Sequence, residues 1–131
     1  LLEAEKRLLG LISQSKKLYK MSSAHIKAEE FATDVYRRLA KSMYDSYENG
    51  MSPDPAMMLN DFSGDDLSEA SEVFYNLEVY SGDEETVKEL LYTIKLEKLN
   101  MRINAEADPT NLMDLFKQRE ELLNEKNTWE E

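Results

Sequence analysis

Few residues in this chain of 131 residues are equipped to do chemistry, and their spacing does not bring them together. His25 is the only histidine, so no multi-histidine metal site can be built, and no triad is read around it. It follows the polar run Ser22-Ser23-Ala24 and reads as a surface-loop residue. With no cysteine, a disulfide frame, a thiolate zinc site and a thiol nucleophile are excluded, and a reducing, intracellular setting is consistent with that. The adjacent acids Glu29-Glu30, Glu84-Glu85 and Glu120-Glu121 point to different sides of a helix. General acid–base catalysis needs carboxyls that converge on a pocket, so these pairs read as solvated faces. Asp61, Ser63, Asp65, Glu69 and Glu72 fall at positions 1, 3, 5, 9 and 12 of a calcium-loop template. Its sixth position, however, needs glycine and holds Asp66, and its eighth needs an apolar residue and holds Ser68. A helix N-cap among solvated acids explains the same residues. Glycine-rich phosphate loops are absent, and Tyr36, Tyr44 and Tyr47 sit at core-facing helical spacing without the basic groove that base stacking requires. No catalytic residue, metal site or cofactor is therefore expected.

The elements around these residues are helical. Four glycines and three prolines leave long uninterrupted stretches, with 41% hydrophobic and 33% charged residues, which favours a single all-α domain large enough to bury a core. Leu1, Ala4, Leu8, Leu11 and Ile12 recur at helical spacing over residues 1–14, with Leu2 and Leu9 widening the stripe and Gly10 suggesting a close helix contact. A short helix over 16–21 and a brief turn between Ile26 and Phe31 follow. From Thr33 or Asp34 to Asn49, the residues Val35, Tyr36, Leu39, Ala40, Met43, Tyr44 and Tyr47 mark one buried face, and Gly50 suits the position after the helix. Asp54-Pro55 opens a helix over 56–62. Asp65 or Asp66 caps a fifth helix with Leu67, Ala70, Val73, Phe74 and Leu77 inward, and Ser81-Gly82 breaks the chain again.

From Asp83 to Ala107 one long helix is predicted, and its apolar stripe changes sides. At 100° per residue, Val87, Leu90, Leu91 and Ile94 cluster on one side and Leu96, Leu99 and Ile103 nearly opposite, with Met101 keeping to the first stripe. Such a helix serves two packing bodies. Asp108-Pro109 ends it, and a second helix over 110–127 carries Leu112, Leu115, Phe116, Leu122 and Leu123 as one stripe, with Arg119 on its line. Met113 and Trp129 lie off that stripe and are expected in solvent. A hairpin of roughly 35 residues buries too little to stand alone, so exposed Met and Trp beside it mark a partner surface. The expected architecture is an all-α helical bundle of about five short helices, joined by a long shared helix to a projecting C-terminal helical hairpin. The domain division is 1–95 for the bundle and 96–131 for the hairpin.

Charge narrows the partners. The net charge of −11 divides into +2 over residues 1–50, −7 over 51–82 and −6 over 83–131. This repels phosphate backbones, so direct nucleic-acid binding is disfavoured. No apolar run approaches the ~18 residues of a membrane span. The chain begins at Leu1, inside a helix, as a piece of a longer protein would.

The run Glu3-Ala4-Glu5-Lys6-Arg7-Leu8-Leu9-Gly10-Leu11, then Phe31, Tyr36-Arg37-Arg38-Leu39, Tyr47-Glu48-Asn49-Gly50 and Asp54-Pro55, resembles the C-terminal helicase-binding domain of bacterial DnaG-type primases. Val87–Leu99 and Leu112–Lys126 are similar to that family's long helix and closing hairpin, so the resemblance covers the whole chain through diffuse helix signatures. It implies a bundle similar to the replicative helicase N-terminal domain and a hairpin that docks on the hexameric helicase. The module would be non-catalytic and cytoplasmic, recruiting primase to the replication fork and modulating the helicase. On this resemblance Leu112, Phe116, Leu123 and Trp129 are hairpin core or helicase anchors, and Met113, Arg119 and Glu120 are the rim. Tyr36, where related helicase domains commonly carry histidine, favours primase. The nearest rival is the N-terminal collar domain of the helicase itself, a self-assembling module. A small acidic calcium-binding protein is the rival from another class; it requires helicity or melting to respond to calcium.

Overall fold

The computed structural model describes residues 1–75 and 83–129. Leu77 and the Ser81-Gly82 break lie outside them. The described residues form seven α-helices and two short 3-10 turns, with no strand among them. The helices are α1 (Leu2–Gln14), α2 (Lys16–Ser23), α3 (Asp34–Glu48), α4 (Pro55–Leu59), α5 (Gly64–Tyr75), α6 (Glu84–Ala105) and α7 (Pro109–Glu125). The 3-10 turns are Ala28–Glu30 and Lys126–Thr128. None of the described helices is long and apolar enough to cross a membrane.

Local chemistry sets most of the boundaries. Side-chain oxygens of Ser15, Thr33, Asp54, Asp83 and Asp108 each accept a backbone N–H from the first turn of the helix they precede, satisfying donors that a helix start leaves orphaned. Pro55 and Pro109 occupy first-turn positions where a missing N–H is harmless. Gly50 follows α3 with φ +74°, a conformation that other residues adopt at a steric cost. Two expected boundaries shift. The helix expected over 56–62 ends at Leu59, because Asn60, Asp61 and Phe62 bond three residues back and tighten into turns. The fifth helix begins at Gly64, so Asp65 and Asp66 lie in its first turn rather than capping it, and Leu67 stays exposed at its rim.

α1 is the centre of the bundle, with α2, α3, α5 and α6 packed around it. Leu8, Leu9 and Ile12 are completely inaccessible, as are Leu39, Ala40 and Met43 of α3 and Val87 of α6. Gly10 is buried in α1. The face predicted for α3 is the face that is buried, residue for residue. Two buried tyrosines tie α3 to its neighbours: Tyr47 donates its hydroxyl to the Ile12 carbonyl near the end of α1 at 2.6 Å, and Tyr44 to that of Ile26, after α2, at 2.9 Å.

α6 carries the two-sided stripe. Val87, Leu90, Leu91 and Ile94 are buried where it meets α1 and α2. Leu99 is buried along α7, with Leu96 and Ile103 half-buried. Met101, the last residue of the first stripe, is exposed. The helix passes through residues 95 and 96 without a break. α7 runs back antiparallel along it: Arg119 donates to the Asn100 side chain at 2.8 Å, and Lys126 pairs with Glu89 at 2.8 Å. The hairpin therefore does not simply project, because its returning half lies beside the part of α6 that the bundle holds.

Glu5 is the one acidic side chain among the described residues that is fully inaccessible. Its Oε1 accepts the Ala32 N–H at 2.8 Å, and its Oε2 lies 3.8 Å from the Lys98 ammonium. Lys98 also donates to the Glu30 carbonyl. One charge pair thus ties α1, α6 and the segment after the first 3-10 turn. Burial holds the Glu5 carboxyl above its ordinary value of 4.5, against the opposing hydrogen bond from Ala32 and the charge of Lys98. For an acid raised in the fold, the stabilising contribution is complete below the ordinary value and is lost as pH rises through the raised one. Glu5→Gln, which keeps the acceptor for Ala32, is expected to melt no lower than the parent at pH 7. The parent should close any gap at pH 4, as thermal unfolding at both pH values would measure.

Candidate interaction surface

Among the described residues no three carboxylate or imidazole groups stand close enough to hold a metal ion. Asp61, Ser63 and Asp65 are exposed around the start of α5, and Glu69 and Glu72 follow on the helix itself. Tyr36 lies in the inward face of α3, its hydroxyl pushed up to about 12, first by burial and then by the charges of Glu69 and Glu72.

The residues singled out on α7 separate into two faces. Leu115 and Leu122 are buried against α6, with Leu112 and Arg119 partly covered beside them. Phe116 and Leu123, expected in the same stripe, are 42% and 57% exposed. The reason is angular. At 100° per residue Leu115 and Leu122 lie within 20° of each other, whereas Phe116 and Leu123 sit about 100° further round, and a single neighbouring helix cannot cover so wide an arc. Met113 is exposed, as expected, and with Phe116, Glu120 and Leu123 it forms an outward stripe. The Arg119 guanidinium stands 5.2 Å from the Phe116 ring centroid, which stiffens the centre of that stripe.

Trp129 departs most from expectation. It is 5% exposed rather than solvent-facing. The 3-10 turn after α7 folds its indole against the imidazole of His25, centroid to centroid 4.7 Å, with the Lys95 ammonium 5.3 Å from the indole centroid. His25 is accordingly half-covered rather than a free loop residue. Burial, and then the charge of Lys95, lower its basicity, with Glu125 opposing.

Sequence reasoning missed Glu5 and Lys98. Glu5 had a readable signal: on the α1 wheel it falls between Ile12 and Leu9, inside the widened apolar arc. The contact of His25 with Trp129 spans the chain and leaves no local pattern.

Among the described residues the chain is an all-α bundle with an outward apolar stripe on its last long helix. A sequence model of the DnaB-like helicase N terminal domain matches residues 1–96, and the chain belongs to that family of DNA-replication proteins. Comparison with curated proteins and with solved structures gave no match. The family match overturns the resemblance to the primase C-terminal domain and, with it, the assignment as a primase module that recruits primase by docking on the helicase. The two readings share the helical signatures that were used, and Tyr36, taken as favouring primase, is an ordinary inward-facing core residue of α3.

The two faces of α7 should respond differently to truncation. Leu122→Ala is expected to cost about 3 kcal/mol, as a buried leucine does. Leu123→Ala, at the next position, should stay within about 0.5 kcal/mol. Urea unfolding of both variants checks the contrast.

Proposed function

We infer that this chain is the N-terminal collar domain of a DnaB-type replicative helicase, a non-catalytic module that self-associates in the cytoplasm as part of the helicase assembly. The reading that stood as the alternative on sequence grounds becomes the leading one. The observation that carries the collar reading is the family match over residues 1–96, and the outward stripe of Met113, Phe116 and Leu123, which stay 73%, 42% and 57% exposed, is the surface assigned to self-association. Family membership supports other protomers of the same assembly as the partner, with Arg119 and Glu120 as the polar edge of the contact. Residues 1–95 act as the bundle, and residues 96–131 as the docking hairpin. The overall charge of −11 supports a protein partner over direct contact with DNA.

Sedimentation velocity over a concentration series tests this. The parent should associate, and Phe116→Glu with Leu123→Glu should return it to monomer with unchanged helicity by far-UV circular dichroism, because both side chains are partly exposed in the folded chain. A parent that stays monomeric, or a double variant that associates like the parent, would remove the hairpin from the interface.

A further inference from the structure

Charge is unevenly spread along the chain. Residues 51–82 carry seven acidic side chains and no basic one, whereas residues 1–50 are net positive despite the overall −11. The fold turns that division into two separate surface features. On α3, Arg37, Arg38 and Lys41 lie on the side away from the buried face, and Asp45 and Glu48 continue the same line toward the end of the helix. That side lines a groove of about 520 Å³, which Lys27 and Glu29 at the first 3-10 turn line as well. Main-chain carbonyls hold both guanidiniums: Phe31 and Ala32 accept from Arg37, and Asp61 accepts from Arg38 at 2.7 Å. The Asp34 carboxylate stands 3.9 Å from Arg38 and that of Asp45 3.5 Å from Lys41, exposed pairs of little strength. The cations of the groove are therefore fixed in place with much of their charge uncompensated. On α5, Asp65, Glu69 and Glu72 fall within about 60° of one another at 100° per residue, and Asp65 and Glu72 are exposed.

We propose that the groove beside α3 receives the acidic α5 stripe of a second copy of this chain. The proposal rests on the self-association inferred above and gives it a contact surface separate from α7. Exposed ion pairs are weak one by one, so this contact forms once the apolar stripe of α7 has joined two copies and raised their effective concentration. Groove and stripe are different patches, so the contact is heterologous: each copy receives one neighbour and is received by another, and assembly continues past the dimer. Like charge keeps groove from groove and stripe from stripe, which fixes the orientation of the copies. The salt response carries a distinctive sign. Copies that each bear −11 repel one another overall, so screening by salt would by itself favour their approach. A contact made by opposite charges responds in the reverse direction and is weakened by salt.

Sedimentation velocity of the full chain at about 50 and about 500 mM sodium chloride tests the contact. The parent should form species beyond the dimer at low salt and fall back to dimer at high salt. Lys27→Glu with Lys41→Glu should stop at the dimer in both, with far-UV circular dichroism unchanged. Arg37 and Arg38 are left in place because they hold main-chain carbonyls, and the milder Lys27→Gln with Lys41→Gln should lose part of the larger species. Asp65→Lys with Glu72→Lys should also stop at the dimer, although it lowers the net negative charge and with it the general repulsion. Mixing the two charge-reversed variants should restore the larger species, since one keeps the stripe and the other keeps the groove. A parent that stays monomeric would remove the self-association reading and this contact together. A parent that halts at the dimer at low salt, larger species indifferent to both reversals, or a mixture that stays dimeric would overturn the groove contact alone. Assembly unchanged by the groove variant, with polyglutamate bound by the parent and lost in that variant, would assign the groove to an acidic segment of another protein and overturn the second copy as its occupant.

Discussion

The carboxylate of Glu5 has no access to water, and the bundle is arranged around accommodating it. Taking an ionised carboxyl into the interior costs several kcal/mol unless hydrogen bonds and a counter-charge are supplied. Here the Ala32 N–H and the Lys98 ammonium supply them. Both come from outside α1, so satisfying this one group fixes where the segment after the first 3-10 turn lies and the register at which α6 crosses. Arg37 strengthens the same corner by donating to the Phe31 and Ala32 carbonyls at 3.1 and 3.3 Å. Hydrophobic contact alone would let α6 slide along α1, because aliphatic side chains accept many registers. A buried charge accepts one.

That corner also locates the transition from bundle to hairpin. Lys98 is one turn beyond Ile94, the last buried residue of the first α6 stripe, and one residue before Leu99, the first buried residue of the second. The polar tie sits where the apolar faces change over. The helix continues through the change because its backbone bonds do not depend on which side is covered, and no residue between Val87 and Ala105 interrupts them.

Much of this was legible in the residues. Helix identity followed from spacing and caps, and the buried face of α3 could be read entirely, because that helix is covered on one side and solvated on the other. The two-sided stripe of α6 was visible for the same reason. α7 was harder. Leu112, Leu115, Phe116, Leu122 and Leu123 form a broad apolar arc, and periodicity alone cannot say how much of it one neighbour covers. The burial of Trp129 was not legible, since a lone aromatic gives no period and its ring partner, His25, lies about a hundred residues away in sequence. The primase resemblance failed at a different level. The signatures behind it were diffuse helix patterns in the bundle, the long helix and the hairpin, and the helicase-family match over residues 1–96 shows that such patterns do not choose between the two readings.

The double duty of α6 also bears on cooperativity. α7 is held mainly by α6 and adds Leu115 and Leu122 to the core, whereas α1 is held by four helices. The chain therefore has two opening units that share a strut. α7 can detach while α6 stays helical, because the first half of α6 is retained by α1 and α2. The reverse cannot happen, since α7 has little else to rest on. Amide protons of α7 and of the far end of α6 then exchange through a cheap partial opening, while those of α1 and of α6 up to Ile94 exchange only when the whole bundle comes apart.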